Sequence, residues 1–219
     1  MRRFLLRVLG GLLLASVLAV VAYRFVDPPL TPLMVIRAAE TRSPRWARQW
    51  VPLGAVSPAL LRAVLAAEDA RFLAHHGVDW PALERAREYN ERWRGRRLRG
   101  AGTITMQCAR TVYLWPGRSY VRKALEVYLA WLLELGWGKR RILEVYVNTV
   151  EWGDGVYGAE AAARRYFGVP AGGWTRGSRR SSPRRCPTRD AGARRRRRLT
   201  SASGHRSSRR VRSVSGWTG

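Results

Sequence analysis

What this 219-residue chain has least of is negative charge: 15 Asp and Glu stand against 41 Lys and Arg, a formal net charge of +26. Acids are scarcest at the end, where residues 171–219 hold 15 Arg and one acid, Asp190. The first 170 residues carry 26 basic and 14 acidic side chains, so the body is basic even without its tail. Such an excess points to anionic partners, whether phospholipid, a phosphorylated substrate or nucleic acid. Cysteine is nearly missing too. Only Cys108 and Cys186 occur, which implies no disulfide framework and leaves the compartment open. Nor does the sequence contain a dedicated metal-binding motif.

The N-terminus has an uncharged run of 16 residues, 8–23, extended by Leu5, Leu6 and Phe25 and flanked by Arg7 and Arg24, which can snorkel. With that extension it approaches the roughly 20 residues that cross a bilayer. Arg2, Arg3, Arg7 and the amino terminus keep that end cytoplasmic, so residues 1–25 read as a membrane anchor. A cleaved leader ending at Val20-Val21-Ala22 is the competing reading. Either way the body is exported. Pro28, Pro29, Pro32, Pro44 and Pro52 then interrupt a stretch of weak periodicity, and residues 26–54 read as a membrane-proximal stalk. Trp46 and Trp50 are placed either at the bilayer surface or in simple packing.

Residues 57–77 organise the rest. Ser57 followed by Pro58 starts a helix, and Leu61, Val64 and Leu65 mark its apolar face. Glu68, four residues after Val64, falls on the same stripe. A carboxylate there has to be compensated or have a job, and partial burial suits it to general-base chemistry. The plainer reading is that Glu68 ends the helix and pairs with Arg71 or Arg62. Asp79 and Pro81 start a second helix. Residues 87–99 are basic with Tyr89 and Trp93 interleaved, a segment for anionic lipid heads or a solvated loop. Gly100, Gly102, Thr103 and Thr105 predict a tight turn feeding a helix N-terminus that presents N–H groups to an anion. Ser119 caps a helix running to about Trp137, with Arg118, Arg122 and Glu126 at successive i,i+4 positions. A further amphipathic helix over 139–148 sets Ile142, Val145, Tyr146 and Thr149 on one face. Glycines then punctuate a bend before a short helix closed by Gly168. From about residue 171 apolar periodicity vanishes, five arginines run together at 194–198, and disorder is expected.

The pattern Glu68-Asp69-x-x-Phe72-x-x-His75-x-Gly77 resembles the first signature of the peptidoglycan glycosyltransferases of family 51, which polymerise lipid II; all five positions match. Gly100, Thr103, Ile104, Thr105 and Gln107 resemble the second. Ala101, Gly102, Met106, Arg110 and Thr111 depart from its usual glycine, serine, glutamine, lysine and asparagine. The lost hydroxyl and amide take hydrogen-bond donors from the expected groove, which keeps open a weakly active or inactive copy. Arg122-Lys123-x-x-Glu126 resembles the third signature. Ile142-Leu-Glu-x-Tyr146-x-Asn148 with Gly158-x-Glu160-x-Ala-Ala-x-x-Tyr166-Phe resembles the fourth, with Asn148 and Glu160 bracing helices.

The resemblance covers about residues 55–168. It implies a mainly α chain: a lysozyme-like glycosyltransferase domain, residues 55–170, with an N-terminal transmembrane helix. Glu68 and Glu126 would be its catalytic carboxylates, Glu68 as general base on the acceptor's 4-hydroxyl. Glu126 would orient Arg118, Arg122 and Lys123, which hold the pyrophosphate leaving group, or help hold Mg²⁺ or Mn²⁺. Asp69, Phe72, His75, Thr103, Thr105, Gln107 and Arg110 would line the substrate groove, and no organic cofactor is expected. Residues 87–99 match a flap that faces the membrane. Implied partners are lipid II, the growing glycan strand, the membrane and other cell-wall synthesis proteins, not nucleic acid. The place is the inner membrane, single-pass, with the domain on the outer face. No transpeptidase Ser-x-x-Lys motif follows, so the enzyme would be monofunctional. Family members continue into apolar helices where this chain turns to arginine, so residues 171–219 read as frame-shifted, or else as a real basic tail. Two other classes stay open: a lysozyme-like hydrolase, and a membrane-anchored binder without catalysis.

Overall fold

The computed structural model describes residues 1–41, 47–94, 99–117, 119–153, 155–175 and 177. Trp46, Arg118, most of the basic segment after Trp93 and the arginine-rich tail lie outside these described residues. The fold is mainly α, as the sequence predicts. Its helices are α1 (Arg2–Phe25), α2 (Pro32–Thr41), α3 (Pro58–Glu68), α4 (Trp80–Arg92), α5 (Ile104–Tyr113), α6 (Tyr120–Gly136), α7 (Gly138–Thr149) and α8 (Ala159–Phe167). Short strands β1 (Ala47–Arg48), β2 (Glu151–Gly153) and β3 (Val156–Tyr157) form one small sheet, ordered β1-β3-β2, with β1 parallel and β2 antiparallel to β3.

Helix starts follow the capping chemistry. The Ser57, Asp79 and Ser119 side chains accept from Ala59 N, Ala82 N and Arg122 N at 3.3, 3.0 and 3.0 Å. The stretch read as a stalk is partly helical instead. Thr31 caps it by accepting from Met34 N at 3.3 Å, Pro32 sits at the first helical position, and Met34 is fully buried. Residues 87–92 of the basic segment likewise continue α4.

The core is centred on α5, which buries Ile104, Thr105, Met106, Cys108, Ala109, Thr111 and Val112 and packs against both α6 and α7. From α3, Leu60 and Val64 face that core, with Leu61 and Leu65 half-buried against it. Asn148, fully buried, uses its whole amide: Nδ2 donates to Val51 O and Glu144 O at 2.8 and 2.9 Å, while Oδ1 accepts from Val51 N at 3.0 Å. Glu160 accepts from Ala171 N at 2.7 Å and Arg164 Nε at 2.6 Å. Both therefore brace, as expected. Gly158 is fixed by a close approach: at φ +84°, a Cβ there would meet Asn148 O at 2.9 Å.

Helix α1 has 24 residues and is long and apolar enough to cross a membrane. Its C-terminal half docks on the domain. Trp137 Nε1 donates to Val20 O at 2.7 Å, Arg24 to Gly136 O at 2.7 Å, and Ser16 and Tyr128 hydroxyls meet at 2.9 Å. Arg141 donates to Tyr23 O, Val26 O and Asp27 Oδ1 at 3.0, 2.9 and 2.8 Å. Trp50 packs against the core, with Arg48 and Arg141 guanidinium carbons 5.4 and 5.7 Å from its ring.

Replacing Asn148 with alanine takes the partner from both part-buried backbone groups of Val51, its N–H and its carbonyl. We expect Asn148→Ala to lower stability by about 3 kcal/mol, read as a drop in the thermal unfolding midpoint of the full chain in detergent.

Candidate functional site

Glu68 is the last residue of α3, and the chain leaves the helix at Asp69, whose φ −159° and ψ 79° turn it away. This corrects the stripe argument. Because the helix stops there, Glu68 stands at its open edge and is exposed. Its carboxylate accepts from Gln107 Nε2 at 3.2 Å, and Arg71, one candidate for its ion pair, turns to Asp79 at 3.2 Å instead. Gln107, half-buried on α5, in turn accepts on Oε1 from the Tyr146 hydroxyl at 3.3 Å. Periodicity places Tyr146 on an apolar face and says nothing of that hydroxyl. Arg110, exposed one turn after Gln107, lies close enough for its charge to act on Tyr146.

The carboxylate that goes inside is Asp69. It accepts from His75 Nε2 at 2.9 Å and from Ile104 N, the first amide of α5, at 2.9 Å. One buried side chain therefore ties the end of α3 to the start of α5, where the helix dipole favours negative charge. Phe72 is buried beneath, edge-on to His75 at 6.3 Å between centroids, with Lys139 Nζ 4.5 Å from its ring. Thr103 caps α5 by accepting from Met106 N at 3.1 Å and donates to Gly77 O at 2.5 Å. Thr105 donates to Glu134 Oε1 at 2.7 Å, and that oxygen also receives Lys139 Nζ at 2.7 Å. Asp69, Phe72, His75, Thr103 and Thr105 thus form the wall behind Glu68, with their polar groups bonded inside the protein except His75 Nδ1, which is buried without a hydrogen-bond partner. Glu134 has no place in the sequence signatures. Its partners lie 29 positions before it and 5 after it, in other helices, and only the fold joins them.

On α6, Glu126 is almost fully buried and takes two cations. Arg122 Nη1 donates to Oε1, and Lys123 Nζ donates to Oε2 at 3.2 Å. Arg122 is nearly as buried, while Lys123 is about half exposed. The result is a compact positive group on the helix beside α5, free to meet an anion through Lys123. Each Glu126 oxygen already accepts from a cation, and among the described residues no three His, Cys, Asp or Glu side chains group to hold a metal ion.

The departures from the second signature fall differently from the sequence reading. Met106 is buried against Val78 and Ala130. Thr111 is buried and donates to Gln107 O at 2.8 Å. Both side chains are taken up in the packing around α5. Gly102 has open space where a side chain would stand. Burial pushes the Cys108 thiol well above its ordinary range, the largest influence there, with Arg141 opposing. That thiol is packing, not a nucleophile.

Comparison with known proteins gives the family. A sequence model of the Transglycosylase family matches residues 36–177. A protein of Caulobacter vibrioides named biosynthetic peptidoglycan transglycosylase is 54% identical over 179 residues, 78% of this chain and 76% of its own. Relatives of the same name from Rhodospirillum centenum and Pseudomonas fluorescens are 56% and 47% identical, over 75% and 80% of this chain and 70% and 73% of theirs.

Breaking a buried ion pair from one side leaves the other charge uncompensated. Glu126→Ala is expected to destabilise the chain by about 3–5 kcal/mol, whereas Lys123→Ala, at a half-exposed partner, should cost under about 1 kcal/mol. Chemical denaturation of both variants in detergent measures the contrast.

Proposed function

The chain belongs to the transglycosylase family, and on that premise we propose that it polymerises lipid II into β-1,4 glycan strands with release of undecaprenyl diphosphate. The observation that carries this reading is the contrast between two carboxylates. Glu68 is exposed and held only by an amide, so it can take up a proton. Glu126 is buried between two cations and cannot act as an acid or nucleophile without breaking both pairs.

The chemistry follows from that division. Glu68 accepts the proton of the acceptor's GlcNAc 4-hydroxyl as its oxygen attacks C1 of the donor's MurNAc. The bond from C1 to the pyrophosphate oxygen breaks with inversion, and its electron pair leaves with undecaprenyl diphosphate. A pyrophosphate leaves as an anion, so it needs positive charge more than it needs an acid. Arg122 and Lys123, oriented by Glu126, supply that charge; Arg118, which the resemblance adds to them, lies outside the described residues. No burial of Glu68 in the free chain contributes to this base. Water is excluded when the substrate covers it.

The same contrast disfavours a lysozyme-like hydrolase, which needs a second working carboxylate. The buried settings of Met106 and Thr111 argue against an inactive scaffold at those two positions, but not at Gly102, which stands against open space. Helix α1 serves as a single-pass anchor, with Arg2, Arg3 and Arg7 on the cytoplasmic side and the domain on the outer face of the inner membrane. The growing strand, the bilayer and other cell-wall synthesis proteins are the partners this placement supplies. A divalent cation, where one takes part, would come with the pyrophosphate.

Incubation of the full chain with labelled lipid II in detergent tests the reading. The parent should build long glycan, and Glu68→Gln should lose at least about a hundredfold in rate. A Glu68→Gln variant as fast as the parent removes Glu68 as the base, and release of free disaccharide in place of polymer favours the hydrolase.

A further inference from the structure

Tyr146 is buried on α7, with its ring among the apolar side chains of the core. Its hydroxyl is not apolar and is not idle. It donates to Gln107 Oε1 at 3.3 Å, and Gln107 Nε2 donates to Glu68 Oε2 at 3.2 Å. The direction of this chain is fixed chemically at both ends. A carboxylate can only accept, so the amide must turn its nitrogen to Glu68. That leaves the amide oxygen facing Tyr146, which can satisfy it only as a protonated phenol. Burial, the largest influence, and then the negative charge of Glu68 push the Tyr146 phenol far above the usual tyrosine range, with Arg110 opposing. The proton therefore stays on through any working pH.

A glutamine amide has two ends of nearly the same shape. Flipped, Gln107 would set its carbonyl oxygen against the carboxylate, acceptor to acceptor. We propose that Tyr146 is a positioning residue for Glu68: its hydroxyl locks the Gln107 amide so that the amide holds Oε2 and leaves Oε1 to the acceptor hydroxyl. The inference rests on Glu68 being the general base. Tyr146 touches no substrate and acts through Gln107 alone. An exposed carboxylate at a helix end has several rotamers, and reacting groups need placement to about 0.5 Å. The lock supplies that placement from a rigid helix in the core, where burial cannot supply it.

A double-mutant cycle in the full chain separates this role from simple packing. Lipid II polymerisation is measured for the parent, Tyr146→Phe, Gln107→Met and the double variant, resolving kcat from KM. Each single change should lower kcat by about tenfold with KM held within about twofold. The double variant should be no slower than Gln107→Met alone, because the phenol has nothing left to orient. The inference is overturned if Tyr146→Phe keeps the parent's kcat, or if it costs the same factor with and without Gln107, as a packing role would. Should Tyr146→Phe fail to fold, as read by thermal unfolding, Gln107→Met decides alone, and a parental kcat there overturns the inference. Glu68→Gln in the same assay keeps the two ideas apart. If it is active, the base assignment falls; if it is inactive while the cycle is additive, only the lock falls.

Discussion

The rest of the site depends on one buried carboxylate that does no chemistry. Asp69 accepts from His75 and from the first amide of α5, so it joins the end of α3 to the start of the central helix. Burying an ionised side chain is costly unless its oxygens are filled. Here a helix N-terminus and an imidazole fill them, in the place where the helix dipole is most favourable to a negative charge. The neighbour of such a residue has little choice of position. With Asp69 turned inward and α3 ended, Glu68 is left on the outer edge, directly across from Gln107 on the first turn and a half of α5. The order Glu-Asp is thus an order of outside and inside.

From α5 the constraint passes to the two helices packed on it. Thr105 reaches Glu134 on α6, Glu134 holds Lys139 on α7, and Lys139 lies over Phe72 from the first signature. Three helices and the loop after α3 are closed into a ring by polar contacts around an apolar interior. The positive group at Arg122 and Lys123 is carried at the start of the same α6 whose far end engages α5 through Glu134. Its place relative to Glu68 is set by helix packing, not by loops.

Much of this was legible in the sequence, where local chemistry decided it. Ser57, Asp79 and Ser119 announced their helices because a cap needs only its own next turn. Asn148 and Glu160 were recognisable as braces by their place in the fourth signature. The first signature led to Glu68, yet the apolar stripe misjudged its burial, since periodicity describes the face of a helix and not where the helix stops. Helix α2 hid among prolines because Thr31 and Pro32, a good start, were read as interruption. The settings of Met106 and the Tyr146 hydroxyl were beyond reach, as each depends on a partner in another element; Thr111, bonded four residues back on its own helix, was a local contact that the signature reading passed over. Arg118 and the arginine-rich tail lie outside the described residues.

The anchor enters the same argument. Helix α1 is not tethered by a flexible stalk but bonded along its last three turns, to Tyr128, Gly136 and Trp137 on and after α6, and to Arg141 on α7. Arg141 precedes Tyr146 by five residues on one rigid helix, a rise of about 7.5 Å. Gly136 follows Arg122 by fourteen on another, about 21 Å. On the proposal that α1 spans the bilayer, these contacts set how far the cationic group and Glu68 stand from it. For the lipid-linked substrate proposed above, whose pyrophosphate would lie at the headgroup level, that distance would be a requirement of the reaction. On the same proposal, the polar contacts between α1 and the domain are part of how the site meets its substrate, and not only of how the protein stays at the surface.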